Sequence, residues 1–286
     1  MSRSSFPTVA SVASVAFVLT PAVLGAQLGC VRAAHMPNVR PAANGETEDI
    51  APSRFFSPPI AIAVAEDAIV RVVGPQMTCS GTLVEDDLVL TAHHCVVERR
   101  ANGEFTKGLL KGSDVRVELG GDYLPWGNVR VREIVAPMCG EAGGAGDLAV
   151  LVLERKLVGL STMTARLDEP PRVGETLGPA GFGRCALSPD GIHRQARAGG
   201  RIVSLTQSGT LRMDASICPG DSGGPVLAGG REVVGVVSLS AMDSDERTRS
   251  PSIMARLDTF RAVFSNARLI ADGASPSELP PITCAK

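Results

Sequence analysis

Short apolar runs separated by polar breaks dominate the chain from residue 68 to residue 257. In the first half they fall at residues 68–73, 81–84, 88–92, 115–119, 129–135 and 148–153. In the second half they fall at 176–182, 197–204, 210–213, 225–228, 233–239 and 253–257. Most hold four to seven residues, favour β-branched side chains, and are bounded by Gly, Pro or Asp, which predicts β-strands. Glu85-Asp86-Asp87 reads as the polar turn of a hairpin, and residues 167–173 as a linker between the halves. The period changes only after residue 257. There Phe260, Val263, Phe264, Ala267 and Ile270 share one helical face, with Asp258 placed to cap the helix. So many short strands call for closed or sandwiched antiparallel sheets.

Composition sharpens this picture. The chain has 286 residues, enough for one large domain or two packed halves. Aromatic residues make up only 3%, so Val, Leu, Ile and Ala must fill the core. Gly 31 and Pro 20 suit a turn-rich β protein. A net charge of −2 argues against a nucleic-acid surface, and a hydrophobic content of 44% argues against disorder.

The first 30 residues depart from the strand pattern. Arg3 is followed by an uncharged apolar run over residues 9–24, broken by Pro21, and then by small residues up to Cys30. This reads as an export signal. Leu28-Gly29-Cys30 resembles a bacterial lipoprotein box, although Gln27 stands where an apolar residue is usual. Two outcomes follow: acylation of Cys30 with a membrane tether, or free secretion. The seven cysteines favour the former, since an acylated Cys30 leaves six to pair. Residues 31–57, rich in Ala, Pro, Asn and Glu, read as a flexible tether or propeptide. A folded domain over 58–272 and a tail over 273–286 complete the expected organisation.

Candidate chemistry centres on Cys218-Pro219-Gly220-Asp221-Ser222-Gly223-Gly224-Pro225. Glycines allow a sharp turn that exposes the Ser222 hydroxyl and aims the N–H groups of Gly220 and Ser222 at one point. Such a serine needs a base, and the base needs an orienting group. The histidines are His35, His93, His94 and His193, and none follows Ser222. That excludes the Ser-Asp-His order of α/β-hydrolases, which Gly220-Asp221-Ser222-Gly223-Gly224 would otherwise fit.

Three stretches fall in the order His, Asp, Ser: Leu90-Thr91-Ala92-His93-His94-Cys95 after Cys79-Ser80-Gly81, then Gly146-Asp147-Leu148-Ala149-Val150-Leu151, then the serine stretch. Together, over residues 68–269, they resemble the trypsin/chymotrypsin-like serine peptidase family in its bacterial, exported form. The resemblance implies an all-β, chymotrypsin-like fold of two antiparallel six-stranded β-barrels, about 58–167 and 168–257, with a C-terminal helix. It implies His94 as general base, Asp147 as its orienter, Ser222 as nucleophile, and Gly220 and Ser222 as oxyanion-hole donors. Ser238 matches the serine that hydrogen-bonds the aspartate, and Leu239 replaces the usual aromatic residue. Ser216 falls at the base of the primary specificity pocket, with Ser240 and Ser252 on its walls. A hydroxyl base without a carboxylate implies cleavage after small or medium apolar residues, unless Asp243 or Asp245 folds in.

Cys79 and Cys95 match a family disulfide. The resemblance pairs Cys185 with Cys218 and leaves Cys139 with Cys284, though four cysteines allow three connectivities. In the family, the aspartate before the serine pairs with a newly cut N-terminal amine. No Ile-Val-Gly-Gly stretch precedes Cys79, so an internal Arg or Lys is the expected partner of Asp221, with cleavage before Ile60 the alternative. His93 is expected to pack or face solvent, and no metal or cofactor is expected. The anticipated partner is a peptide or protein substrate of a monomeric enzyme. A catalytically silent or zymogen-locked binding module on the same fold is the other reading.

Overall fold

The structure, a computed structural model, describes residues 55–56, 64–121, 125–185, 192–241 and 248–284. Among the described residues the first half holds nine strands: β1 (Phe55–Phe56), β2 (Ile69–Val73), β3 (Thr78–Glu85), β4 (Leu88–Thr91), β5 (Val97–Arg99), β6 (Phe105–Leu109), β7 (Arg116–Leu119), β8 (Gly127–Val135) and β9 (Ala149–Leu153). Six of them close into a barrel in the order β2-β3-β4-β9-β8-β7, with β7 returning to β2. β7 shows the alternation expected of a strand with one wet face, its Val117 and Leu119 buried and Arg116 exposed. β9 is buried at every position, because the terminal helix α1 (Arg261–Ala271) covers its outer face.

Short strands β10 (Lys156–Leu157) and β11 (Thr164–Ala165) lead into the second half. β10 pairs with β1. The second half continues with β12 (Thr176–Gly181), β13 (Gln195–Ala196), β14 (Gly200–Leu205), β15 (Thr210–Ala215), β16 (Pro225–Ala228), β17 (Glu232–Ser240) and β18 (Ser250–Arg256). The order β17-β16-β12-β14-β15-β18 closes through a β17–β18 pairing, giving a second six-stranded barrel. Its interior is aliphatic, with Leu177, Ile202, Leu211, Met213, Val226 and Met254 buried together. The architecture is the chymotrypsin-like fold implied by the resemblance, and its closed sheets answer the strand pattern.

Two local expectations change. Asp258 does not cap α1. The cap position is Phe260, and Asp258 instead accepts the Arg256 Nε–H at 3.0 Å. Glu85-Asp86-Asp87 is more than a solvated turn, for Arg268 of α1 donates to Asp87 Oδ1 at 2.7 Å and to Glu85 Oε2 at 2.9 Å. The β5–β6 hairpin has no counterpart in the apolar pattern, because Phe-Thr-Lys-Gly-Leu in β6 carries no alternation.

Candidate active site

Strand register brings the first two candidate residues together. β4 and β9 are antiparallel, with Thr91 opposite Ala149. Continuing beyond that pair carries the chain after β4 toward the residues just before β9. His94 lies in a single 3-10 turn, His93–Cys95, which the Cys79–Cys95 disulfide ties back to β3. Asp147 has no accessible surface. It accepts the His94 backbone N–H at 2.9 Å and faces Nδ1 at 2.8 Å through Oδ2. The Ser238 hydroxyl donates to the same Oδ2. Burial alone would raise the Asp147 carboxyl, but the His94 ring, its charge, the Ser238 hydroxyl and the His94 N–H hold it below the usual carboxylate range. A carboxylate accepts only, so Nδ1 carries a proton toward Asp147, and in the neutral form of the ring Nε2 is the acceptor.

His93 serves packing. It is 5% exposed, and its ring lies beneath Gly140, where an added Cβ would come within 2.4 Å of the ring. Burial lowers its pKa, with the Asp147 charge pulling the other way and the His94 charge adding to the fall. His193 is half-buried next to β13, and His35 lies outside the described residues. Cys79, His94 and Cys95 offer ligand atoms within 4.8 Å of one another, yet both cysteines are committed to a disulfide and supply no thiolate.

Ser222 lies on the turn between β15 and β16. Its carbonyl accepts the Ser80 N–H at 2.8 Å, while Gly223 N–H donates to Val237 O at 2.8 Å. Gly223 has φ +79, and a Cβ there would lie 2.2 Å from Thr91 Oγ1. The serine turn is therefore pressed against the end of β4, the strand that leads to His94. No hydrogen bond joins Ser222 Oγ to the His94 ring among the described residues. Such bonds often tighten only once substrate is bound. Ser80, which the sequence reading passed over, knits the turn to both barrels. Its hydroxyl accepts the Phe182 N–H and donates to Gly220 O, each at 2.8 Å.

Asp221 also has no accessible surface. Its cation is Arg197, whose Nε donates to Oδ2 at 2.8 Å. Cys218 N–H and Gly183 N–H donate to the same carboxylate at 2.9 and 2.7 Å. Burial pushes the carboxyl upward, against the pull of Arg197 and the two N–H donors. Gly183 must be glycine, since a Cβ there would lie 2.4 Å from Asp221 Cγ. The buried Asp221 and an internal cation for it were expected from the resemblance, but not which cation. Nothing marked Arg197 among the 28 Lys and Arg residues. Ile60 lies outside the described residues.

The candidate specificity residues gather at the second barrel. Ser216 is 1% exposed, and its Oγ accepts the Ala198 N–H at 3.0 Å. Ser240 and Ser252 face each other across β17 and β18, with hydroxyls 2.8 Å apart. Ser252 donates to Ser250 O at 2.8 Å, so the Ser240 hydroxyl supplies the proton between them. Leu239 is about half exposed. Asp243 and Asp245 lie outside the described residues. A cleft of about 820 Å³ opens on the His94 side, lined by Phe105, Met138, Gly140 and Glu141, with the Phe105 ring edge-on to His94 at 5.6 Å. Two further disulfides join Cys185 to Cys218 and Cys139 to Cys284. Cys30 lies outside the described residues.

Comparison with known proteins agrees with the fold. A Glu endopeptidase solved in complex with MPD superposes with a TM-score of 0.53 at 18% identity, covering 75% of this chain and 94% of that one. Neuropsin, a serine protease expressed in the limbic system of mouse brain, superposes with a TM-score of 0.53 at 18% identity, covering 73% and 97%. No curated protein sequence matches the chain. The trypsin family model matches residues 65–264, a span that runs from just before β2 into α1. The chain belongs to the trypsin family.

Proposed function

We propose that the chain is a serine endopeptidase that hydrolyses peptide bonds through an acyl-enzyme, with His94, Asp147 and Ser222 as its catalytic triad. The supporting observation is the pairing of His94 Nδ1 with a fully buried Asp147 that is itself held by Ser238. Ser222 Oγ attacks the peptide carbonyl while His94 Nε2 takes the hydroxyl proton. The N–H groups of Gly220 and Ser222 stabilise the resulting oxyanion. His94 returns the proton to the leaving amine, and water then repeats the sequence to release the acid and free Ser222.

The zymogen-locked reading draws less support, because Arg197 already meets the charge of Asp221 from within the chain. The three disulfides are consistent with folding in an oxidising compartment. Among the described residues no helix is long and apolar enough to cross a membrane. Residues 1–30 as an export signal, acylation at Cys30, and a domain over 58–272 complete the reading.

Specificity follows from Ser216. A cation brought against a buried hydroxyl loses water without gaining a counter-charge, at a cost of several kcal/mol. About 1.4 kcal/mol is a tenfold change in rate, so Arg and Lys should be rejected by orders of magnitude. The Ser240–Ser252 pair between the pocket walls favours small or medium side chains. The test is a panel of peptides that differ only before the scissile bond, run with the full chain and with Ser222→Ala. Ala, Val or Leu should give the highest kcat/KM, and Ser222→Ala should cleave none measurably. An Arg or Lys optimum would overturn the pocket reading, and equal cleavage by Ser222→Ala would overturn the triad.

A further inference from the structure

The loop between β8 and β9 delivers Asp147, and it is held from three sides. At its base Cys139 is bonded to Cys284, and Met138 N–H donates to Ile282 O at 3.1 Å. Gly146, the residue before Asp147, lies against Cys284, where an added Cβ would come within 2.9 Å of Sγ. At its tip Gly143 N–H donates to Ser238 Oγ at 2.9 Å. Between these points the loop closes on itself through Gly144 N–H to Glu141 O at 2.8 Å, a turn that links base to tip. The tail that carries Cys284 is itself anchored, with Ile282 buried and Asn266 of α1 donating to Pro280 O at 3.1 Å.

The Gly143 contact has a chemical effect. A serine hydroxyl has one proton and can turn. With Gly143 N–H occupying a lone pair of Ser238 Oγ, the hydroxyl proton is directed at Asp147 Oδ2. The disulfide also differs from its neighbours in access. Cys79, Cys95, Cys185 and Cys218 are all buried, at 0%, 3%, 1% and 1% exposure. Cys139 is exposed and Cys284 half-buried. A soluble thiol reaches this bond first.

We infer that the Cys139–Cys284 disulfide is a redox-addressable staple. It positions the Asp147 loop and, through Gly143 and Ser238, sets the rate of the reaction proposed above, on which this inference rests. A small dithiol delivers two electrons and two protons to the bond, leaving Cys139 and Cys284 as thiols and itself as a cyclic disulfide. The loop then loses its base, and the Ser238 hydroxyl is free to turn away from Asp147.

The test is a double-mutant cycle on the full chain. Cys139→Ala/Cys284→Ala, with its fold checked by circular dichroism, should lower kcat on a cleaved peptide by about tenfold, equivalent to about 1.4 kcal/mol. In a Ser238→Ala background the same change should cost less than about twofold, because the path it acts through is gone. An unchanged kcat, or equal losses in the two backgrounds, would overturn the inference. If the double variant does not fold, the wild-type protein is titrated with a small dithiol while free thiols are mass-tagged. Activity should fall in step with tagging of Cys139 and Cys284 and return on reoxidation. Full activity with both residues tagged would overturn it. Fluorophosphonate labelling of the untreated wild type separates the two claims. Labelling with no effect of the staple sinks this inference alone, while absence of labelling sinks the proposed reaction and the inference with it.

Discussion

Asp147 and Asp221 are both carboxylates with no accessible surface, yet they are held differently. Asp147 faces small, oriented donors: an imidazole N–H, a backbone N–H and a hydroxyl. Asp221 faces a guanidinium, Arg197, that is itself only 1% exposed. In the proposed reaction, the first arrangement leaves the carboxylate able to steady the positive charge that would appear on His94. The second has its charge met already, and its remaining bonds tie Cys218 in the serine stretch to Gly183 in the segment after β12. Under the proposed reaction, one acid serves the chemistry and the other holds the frame around it.

The comparison breaks most sharply through Asp147→Asn. The amide fills the same space, so the fold should survive while kcat falls by about 10⁴, the loss known for a triad whose histidine is held in the wrong tautomer. A fall of less than about tenfold would remove Asp147 from its proposed role. Its stability has a sign as well. The folded carboxyl lies below its ordinary 3.8, so the unfolded chain takes up the proton first as pH falls. The stabilisation is complete above the ordinary value and is lost as pH drops through the lower folded one. Urea midpoints of wild type and Asp147→Asn should therefore differ most near neutral pH and converge in acid.

Arg197→Met should act in the other currency. Removing one partner of a buried ion pair costs about 3–5 kcal/mol, because the other charge is left uncompensated. The melting temperature should drop, and Arg197→Met/Asp221→Asn should recover part of it. A single variant as stable as wild type would mean that Arg197 does not carry the charge of Asp221. His93→Ala marks the lower end. It removes a neutral packing ring next to the base, and kcat should change by no more than a few fold. A loss comparable to that of His94→Ala would mean that the two histidines had been assigned in the wrong order.

What the sequence made legible follows from what repeats locally. Val and Leu runs such as 148–153 announce strands by themselves, and glycines around Ser222 announce a turn. His94, Asp147 and Ser222 stood out because each sits in its own local motif. Arg197 and Ser80 did not, because their importance lies in contacts made across 24 and 140 residues of chain. The β5–β6 hairpin was missed for a related reason. β6 lies mostly exposed, so burial imposes no alternation on it. Asp258 had a capping residue's chemistry, but Arg256, two residues away in the chain, competed for it.

The central claim is that Ser222 is a nucleophile activated within this chain. The most direct test is intact-mass and peptide-map analysis of the purified full chain after exposure to a fluorophosphonate. The account predicts one adduct, on Ser222, formed without prior cleavage before Ile60, absent from Ser222→Ala and strongly slowed in His94→Ala. An adduct that persists in Ser222→Ala, or none in the wild type, would contradict it.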